Sequence, residues 1–264
     1  MSPIVIAVIV IGGLGLLLGL FLGIAGNAFK VEVDEREEKI VNVLPGNNCG
    51  GCGYPGCSGL ASAIVKGEAP VNGCPVGGAS VGEKVASIMG VEVGESTRLT
   101  AFVKCQGDCQ KTTSLYKYSG VEDCAFSKYV PDGGAKSCSY GCLGFGNCVK
   151  ACQFGAIKVQ DGIAKVNKEI CKACGKCVAA CPKNLIELIP YESKVVVSCS
   201  SKDKGPVAMK KCTAACIGCG LCVKNCPSQA ITLDNFLAHI DQSKCTGCGT
   251  CKEKCPKKAI VEIV

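Results

Sequence analysis

The sequence predicts an α+β chain: one N-terminal transmembrane helix, then a small helical domain, then two modules of short β-hairpins and helices. Three observations predict it: an uncharged apolar run at the start, 25 cysteines gathered in tight runs, and an internal duplication of cysteine-rich segments. At 264 residues the chain suits two or three small domains better than one large core. It has no Trp and one His, so large apolar anchors are scarce and whatever the cysteines bind has to serve as core.

Ile4 to Ile24 reads IVIAVIVIGGLGLLLGLFLGI, without a charge. At about 1.5 Å per residue, a helix of this length matches a hydrocarbon core of roughly 30 Å. A signal peptide is the rival reading, because Gly26 and Ala28 meet a small-x-small cleavage rule. The length of the run, and the lack of Lys or Arg before it, favour a retained anchor over residues 1–28. Lys30, Arg36 and Lys39 follow it, which points to a single-pass protein with cytoplasmic C-terminal domains. Gly15, Gly19 and Gly23 line one ridge that suits a second membrane helix, although Gly is also simply common in such helices.

Residues 29–45 are charged and read as a linker or helical extension. Residues 46–94 form a four-cysteine domain, with helical patterns in SGLASAIVKGEA and GEKVASIMG. Residues 95–132 read as a connecting segment in which AFVKC has strand character, and residues 191–210 as a second connection. Modules of paired cysteine runs occupy 133–190 and 211–264. Their repeat is visible in CQFGAI, CPKNLI, CPSQAI and CPKKAI, with closing cysteines 29 residues apart in each pair, 152 to 181 and 226 to 255. Each Ile opens a short alternating run (AIKVQDGIAKV, LIELIP, AITLDNFLAHI, AIVEIV) of the kind that forms small hairpins.

An odd cysteine count in tight runs argues for metal ligation over a disulfide framework. Three runs are C-x2-C-x2-C-x3-C-P: Cys171, Cys174, Cys177, Cys181; Cys216, Cys219, Cys222, Cys226; and Cys245, Cys248, Cys251, Cys255. This is the ferredoxin-type spacing for 4Fe-4S clusters, in which the fourth Cys ligates the other cluster of the pair. The first run is altered to Cys138-x3-Cys142-x5-Cys148-x3-Cys152. The crossing rule then groups Cys138, Cys142, Cys148 and Cys181, and Cys171, Cys174, Cys177 and Cys152. In the second module it groups Cys216, Cys219, Cys222 and Cys255, and Cys245, Cys248, Cys251 and Cys226. Zinc knuckles explain neither the third Cys of each run nor the Pro. The stretch NCGGCGYPGCSGLASAI…NGCP carries Cys49, Cys52, Cys57 and Cys74 on and beyond a Gly-rich loop, which suits a fifth cubane, with zinc as the alternative.

Cys105, Cys109, Cys124, Cys199 and Cys212 fall in no four-ligand run and read as small buried thiols before a sixth metal site. His239 reads as a packed side chain. No nucleophile triad, phosphate loop or dinucleotide fingerprint is present, so no catalytic residue is assigned. The formal charge of +7 shrinks if each cluster with its thiolates carries about −2. With no basic stripe interleaved with aromatics, nucleic acid is not an expected partner.

The Gly-rich apolar helix, NCGGCGYPGCSGLASAI…NGCPVGG, KSCSYGCLGFGNCVKACQFGAI and the two ferredoxin-type pairs together resemble the B subunit of the Rnf-type ion-translocating electron-transport complex, in its long form. The resemblance covers essentially the whole chain. It implies a subunit of an ion-translocating ferredoxin:NAD oxidoreductase that takes electrons from soluble ferredoxin and passes them to the membrane core. It further implies integral membrane and flavin-carrying subunits as partners, membrane lipid around the helix, and a 4Fe-4S site at Cys49, Cys52, Cys57 and Cys74. A membrane-tethered redox protein serving a regulator, without ion pumping, is the alternative.

Overall fold

The computed structural model describes residues 2–28, 34–94 and 97–263. Helix α1, Pro3–Ala28, is long and apolar enough to cross a membrane, and no part of its apolar window is buried against the chain. A Cβ placed on Gly15, Gly19 or Gly23 would meet nothing within 4 Å, so that ridge is open within this chain.

Part of the expected linker is folded into the next domain, while its residues 29–33 lie outside the described ones. Asp34 starts helix α2, Glu35–Val43, by accepting the Arg36 backbone N–H at 2.8 Å. Because α2 presents Ile40, with Leu44 just past its end, to helices α3, Gly56–Val65, and α4, Gly78–Met89, the four-cysteine domain has a real apolar core. Ile40 and Val85 are fully buried, with Leu60 and Ile64 beside them. Ile40→Ala is expected to cost about 2–5 kcal/mol, seen as an earlier loss of this domain in urea and faster proteolysis near α2.

The remainder contains two modules of one design. The first holds strand β1, Leu99–Val103; two 3-10 turns at Cys124–Tyr129 and Pro131–Gly133; helix α5, Asn147–Ala151; strands β2, Ile157–Gln160, and β3, Ile163–Val166; helix α6, Lys176–Ala179; and strand β4, Ile186–Pro190. The second holds β5, Val195–Val197; helices α7, Gly205–Lys211, and α8, Leu221–Lys224; β6, Ile231–Asp234; β7, Leu237–Ile240; α9, Thr250–Glu253; and β8, Ile260–Glu262.

Two of the four alternating runs close on themselves, β2 with β3 and β6 with β7, each antiparallel. The other two are too short to fold back and recruit remote strands. LIELIP supplies β4, which pairs with β1 in the register Val103↔Ile186, and AIVEIV supplies β8, which pairs with β5 in the register Val197↔Ile260. Hence the two connecting segments each contribute an edge that completes a module: 95–132 through the strand expected at AFVKC, and 191–210 through a strand that was not expected; Glu95 and Ser96 are outside the described residues. His239, expected to be packed, is exposed on β7 opposite Thr232, because the inward positions of that strand belong to Leu237 and Ala238.

Candidate metal centres

The four repeated cysteine runs share one local device. A glycine in the left-handed conformation, Gly146, Gly175, Gly220 or Gly249, immediately precedes a one-turn helix, and the first turn of that helix carries the third cysteine of the run. Those cysteines, Cys148, Cys177, Cys222 and Cys251, are all buried at 6–8 % exposure. Backbone N–H groups then point at the sulfurs. Ala173 and Ala101 donate to Cys171 at 3.4 and 3.3 Å, Gly247 to Cys245 at 3.4 Å, Leu185 to Cys181 at 3.4 Å and Ala259 to Cys255 at 3.3 Å. Such bonds favour thiolate and help to set a cluster's potential.

In the second module, Cys216, Cys219, Cys222 and Cys255 line one cavity, the grouping that the crossing rule expects. Cys251 lies within electrostatic reach of Cys245 and Cys248, and Cys226 of Cys248. In the first module Cys177 neighbours Cys171, Cys174 and Cys152. In the N-terminal domain Cys74 neighbours Cys52 and Cys57, and it accepts an N–H from Gly77 at 3.4 Å. The Asn48 side chain accepts the Cys57 N–H at 2.8 Å, which ties the loop bearing Cys49 to the start of α3.

The remaining grouping differs from expectation. The cavity lined by Cys142, Cys148 and Cys181 is lined also by Cys124, and Cys138 does not line it. Cys124 lies within electrostatic reach of both Cys142 and Cys181. The reason is positional: Cys142–Cys152 (CLGFGNCVKAC) aligns with Cys171–Cys181 (CKACGKCVAAC), so Cys142 is the first cysteine of its run and Phe145 stands where Cys174 is the second. Cys124, on the 3-10 turn, is the fourth cysteine that lines this cavity. Asn147 holds it there, accepting the Cys124 N–H at 3.0 Å and donating to Asp123 at 2.7 Å.

The donor sets fit iron–sulfur clusters on chemical grounds. Burial pushes the Cys148 thiol up to about 12 and those of Cys177 and Cys222 up to about 11, so thiolates there need cationic iron beside them. Among the described residues, no three His, Cys, Asp or Glu side chains converge closely enough for one ion. A zinc with Zn–S bonds of about 2.3 Å would hold its four sulfurs within roughly 4 Å of each other, whereas a cubane is gripped through its corner irons and holds them wider apart.

An apolar membrane-length helix joined to modules whose cysteines converge in fours on shared cavities defines a membrane-associated iron–sulfur electron carrier. Family models agree with the site: an Fe-S cluster model matches residues 44–76, a 4Fe-4S binding domain 164–187 and a 4Fe-4S dicluster domain 215–259. The B subunit of the Na(+)-translocating ferredoxin:NAD(+) oxidoreductase complex of Acetobacterium woodii is 46% identical over 245 residues, spanning 92% of this chain and 73% of that protein. The B subunit of the ion-translocating oxidoreductase complex of Methanosarcina acetivorans is 47% identical over 244 residues, 92% of each chain. That of the proton-translocating ferredoxin:NAD(+) oxidoreductase complex of Clostridium ljungdahlii is 44% identical over 245 residues, 92% of this chain and 86% of its own. The chain belongs to the family of B subunits of ion-translocating, Rnf-type oxidoreductase complexes.

Proposed function

We propose that the chain is the membrane-anchored relay of a ferredoxin:NAD oxidoreductase that translocates Na+ or H+. It takes single electrons from reduced ferredoxin and delivers them to the membrane core through five 4Fe-4S clusters. The ligand sets are Cys49, Cys52, Cys57, Cys74; Cys124, Cys142, Cys148, Cys181; Cys152, Cys171, Cys174, Cys177; Cys216, Cys219, Cys222, Cys255; and Cys226, Cys245, Cys248, Cys251. The clusters, when bound, supply one-electron redox steps at low potential. The chain's own part is to bury the thiols, aim amides at them and keep the centres in line.

The observation that carries this reading is the convergence of thiols from separate repeats on common cavities, in a chain of this family. Its test is iron and sulfide analysis after anaerobic purification. About twenty irons or more per chain, with low-potential EPR signals and copurifying integral membrane subunits, support it. Zinc in place of iron sinks it, and an iron-loaded chain without membrane partners favours a tethered redox protein instead.

Direction follows from the two ends of the chain. The first cysteine domain lies next to the apolar helix, with cytoplasmic modules beyond it. Residues 200–264 carry ten Lys against five acidic residues, whereas residues 30–99 carry six basic against nine acidic. An acidic ferredoxin is steered to the basic end. Its rate of reducing the chain is therefore expected to fall severalfold between low salt and about 0.5 M salt; a salt-independent stopped-flow rate would refute the steering.

A further inference from the structure

Four of the five cysteines outside the runs are not scattered. Cys124 lines the cavity of the set just described, and Cys105, Cys199 and Cys212 line, together with Cys138, a cavity between the two modules, four thiols on one cavity as at the sites lined by the run cysteines. The duplication places these thiols in matched pairs. Cys105 follows the end of β1 by two residues, and Cys199 follows the end of β5 by two. Cys138 precedes Cys142 by four residues and Cys212 precedes Cys216 by four, and both Cys142 and Cys216 are the first cysteines of their runs. Each module thus gives two equivalent thiols to one site.

The hydrogen bonds repeat the same symmetry. Cys105 Sγ accepts N–H bonds from Gly107 at 3.3 Å and Cys142 at 3.4 Å. Cys199 Sγ accepts them from Ser201 at 3.5 Å and Cys216 at 3.3 Å. A bond to the sulfur from the amide two residues on is the pattern already seen at Cys171 and Cys245. Lys136 Nζ pins the Gly107 loop through the Gly107 and Gly162 carbonyls at 2.8 and 2.7 Å and brings a positive charge to the Cys105 side. Cys109, the fifth, is exposed and lines none of these cavities.

We propose that Cys105, Cys138, Cys199 and Cys212 bind a further 4Fe-4S cluster that bridges the two modules. Its ligands take amide bonds from Cys142 on one side and Cys216 on the other, so it lies between the Cys124 set and the Cys216 set. An electron entering from the Cys216 side leaves toward the Cys142 side, and the bridging centre ends in its starting oxidation state. The relay role of this centre rests on the function proposed above; its existence does not.

The test is metal and sulfide content of the full chain purified anaerobically in detergent. The wild type is expected to hold about twenty-four irons with matching sulfide. Cys199→Ala and Cys212→Ala are each expected to lose about four, and the double variant no more than either. A wild type with about twenty irons, or with one zinc in addition, overturns the proposal whether or not the variants fold. Iron lost from Cys222→Ala but not from Cys199→Ala also overturns it, and leaves the five-centre relay standing.

Discussion

Cys124→Ala is expected to remove about four irons per chain, and combining it with Cys148→Ala is expected to remove no more than either substitution alone. Residues that hold one cluster fail as a unit, whereas residues of different clusters lose iron additively. From a Cys138→Ala chain, by contrast, Cys148→Ala should still remove about four irons, because Cys138 and Cys148 line different cavities. Asn147→Ala adds a gentler probe. It deletes the acceptor of the Cys124 N–H and the donor to Asp123, and touches no thiol. Here the cluster is expected to assemble, with a shifted EPR signal and faster loss to a chelator. The assignment fails if Cys124→Ala keeps its full iron while Cys138→Ala and Cys148→Ala share one loss.

How much of this was legible beforehand varied by residue. The three unaltered runs were readable because C-x2-C-x2-C is a local device, set by one αL glycine and one helical turn. In the altered run nearness in sequence suggests Cys138, whereas the cavity that holds Cys142, Cys148 and Cys181 is lined by Cys124. The sharper signal lay in the alignment of CLGFGNCVKAC with CKACGKCVAAC, which exposes Phe145 as the vacated second position, and in the shared four-residue step from Cys138 to Cys142 and Cys212 to Cys216. Cys124 itself carries no local sign, since its place in that cavity depends on a turn held by Asn147 from 23 residues away. Likewise the strand partners of LIELIP and AIVEIV could not be read, because three-to-five-residue strands gain their stability from burial against the module. Charge patterning hid the burial of α2: three Glu in its first turn advertise a solvated face, while a single fully buried Ile40 anchors the other.

Gly51→Ala is expected to uncouple the membrane-proximal domain from the first module without removing iron from either. A Cβ at Gly51 would lie 2.7 Å from the Cys174 carbonyl oxygen and 2.9 Å from its Cα. Both are backbone atoms in a cysteine run, so they cannot swing aside as a flexible side chain could. Overpacking of this kind costs about 1–3 kcal/mol, enough to lower the docked population roughly fivefold to a hundredfold. Gly51 stands between Cys49 and Cys52, so this contact brings the loop of the N-terminal set onto the set containing Cys171, Cys174, Cys177 and Cys152. Electron tunnelling falls steeply with distance, and in the relay proposed above losing the contact lengthens the step into the N-terminal set. The expected readouts are unchanged iron, loss of magnetic coupling between two reduced centres in EPR, and slowed reduction of the N-terminal centre by ferredoxin. If coupling and rate both survive the added methyl group, the Gly51–Cys174 contact is not the route by which electrons reach the membrane domain.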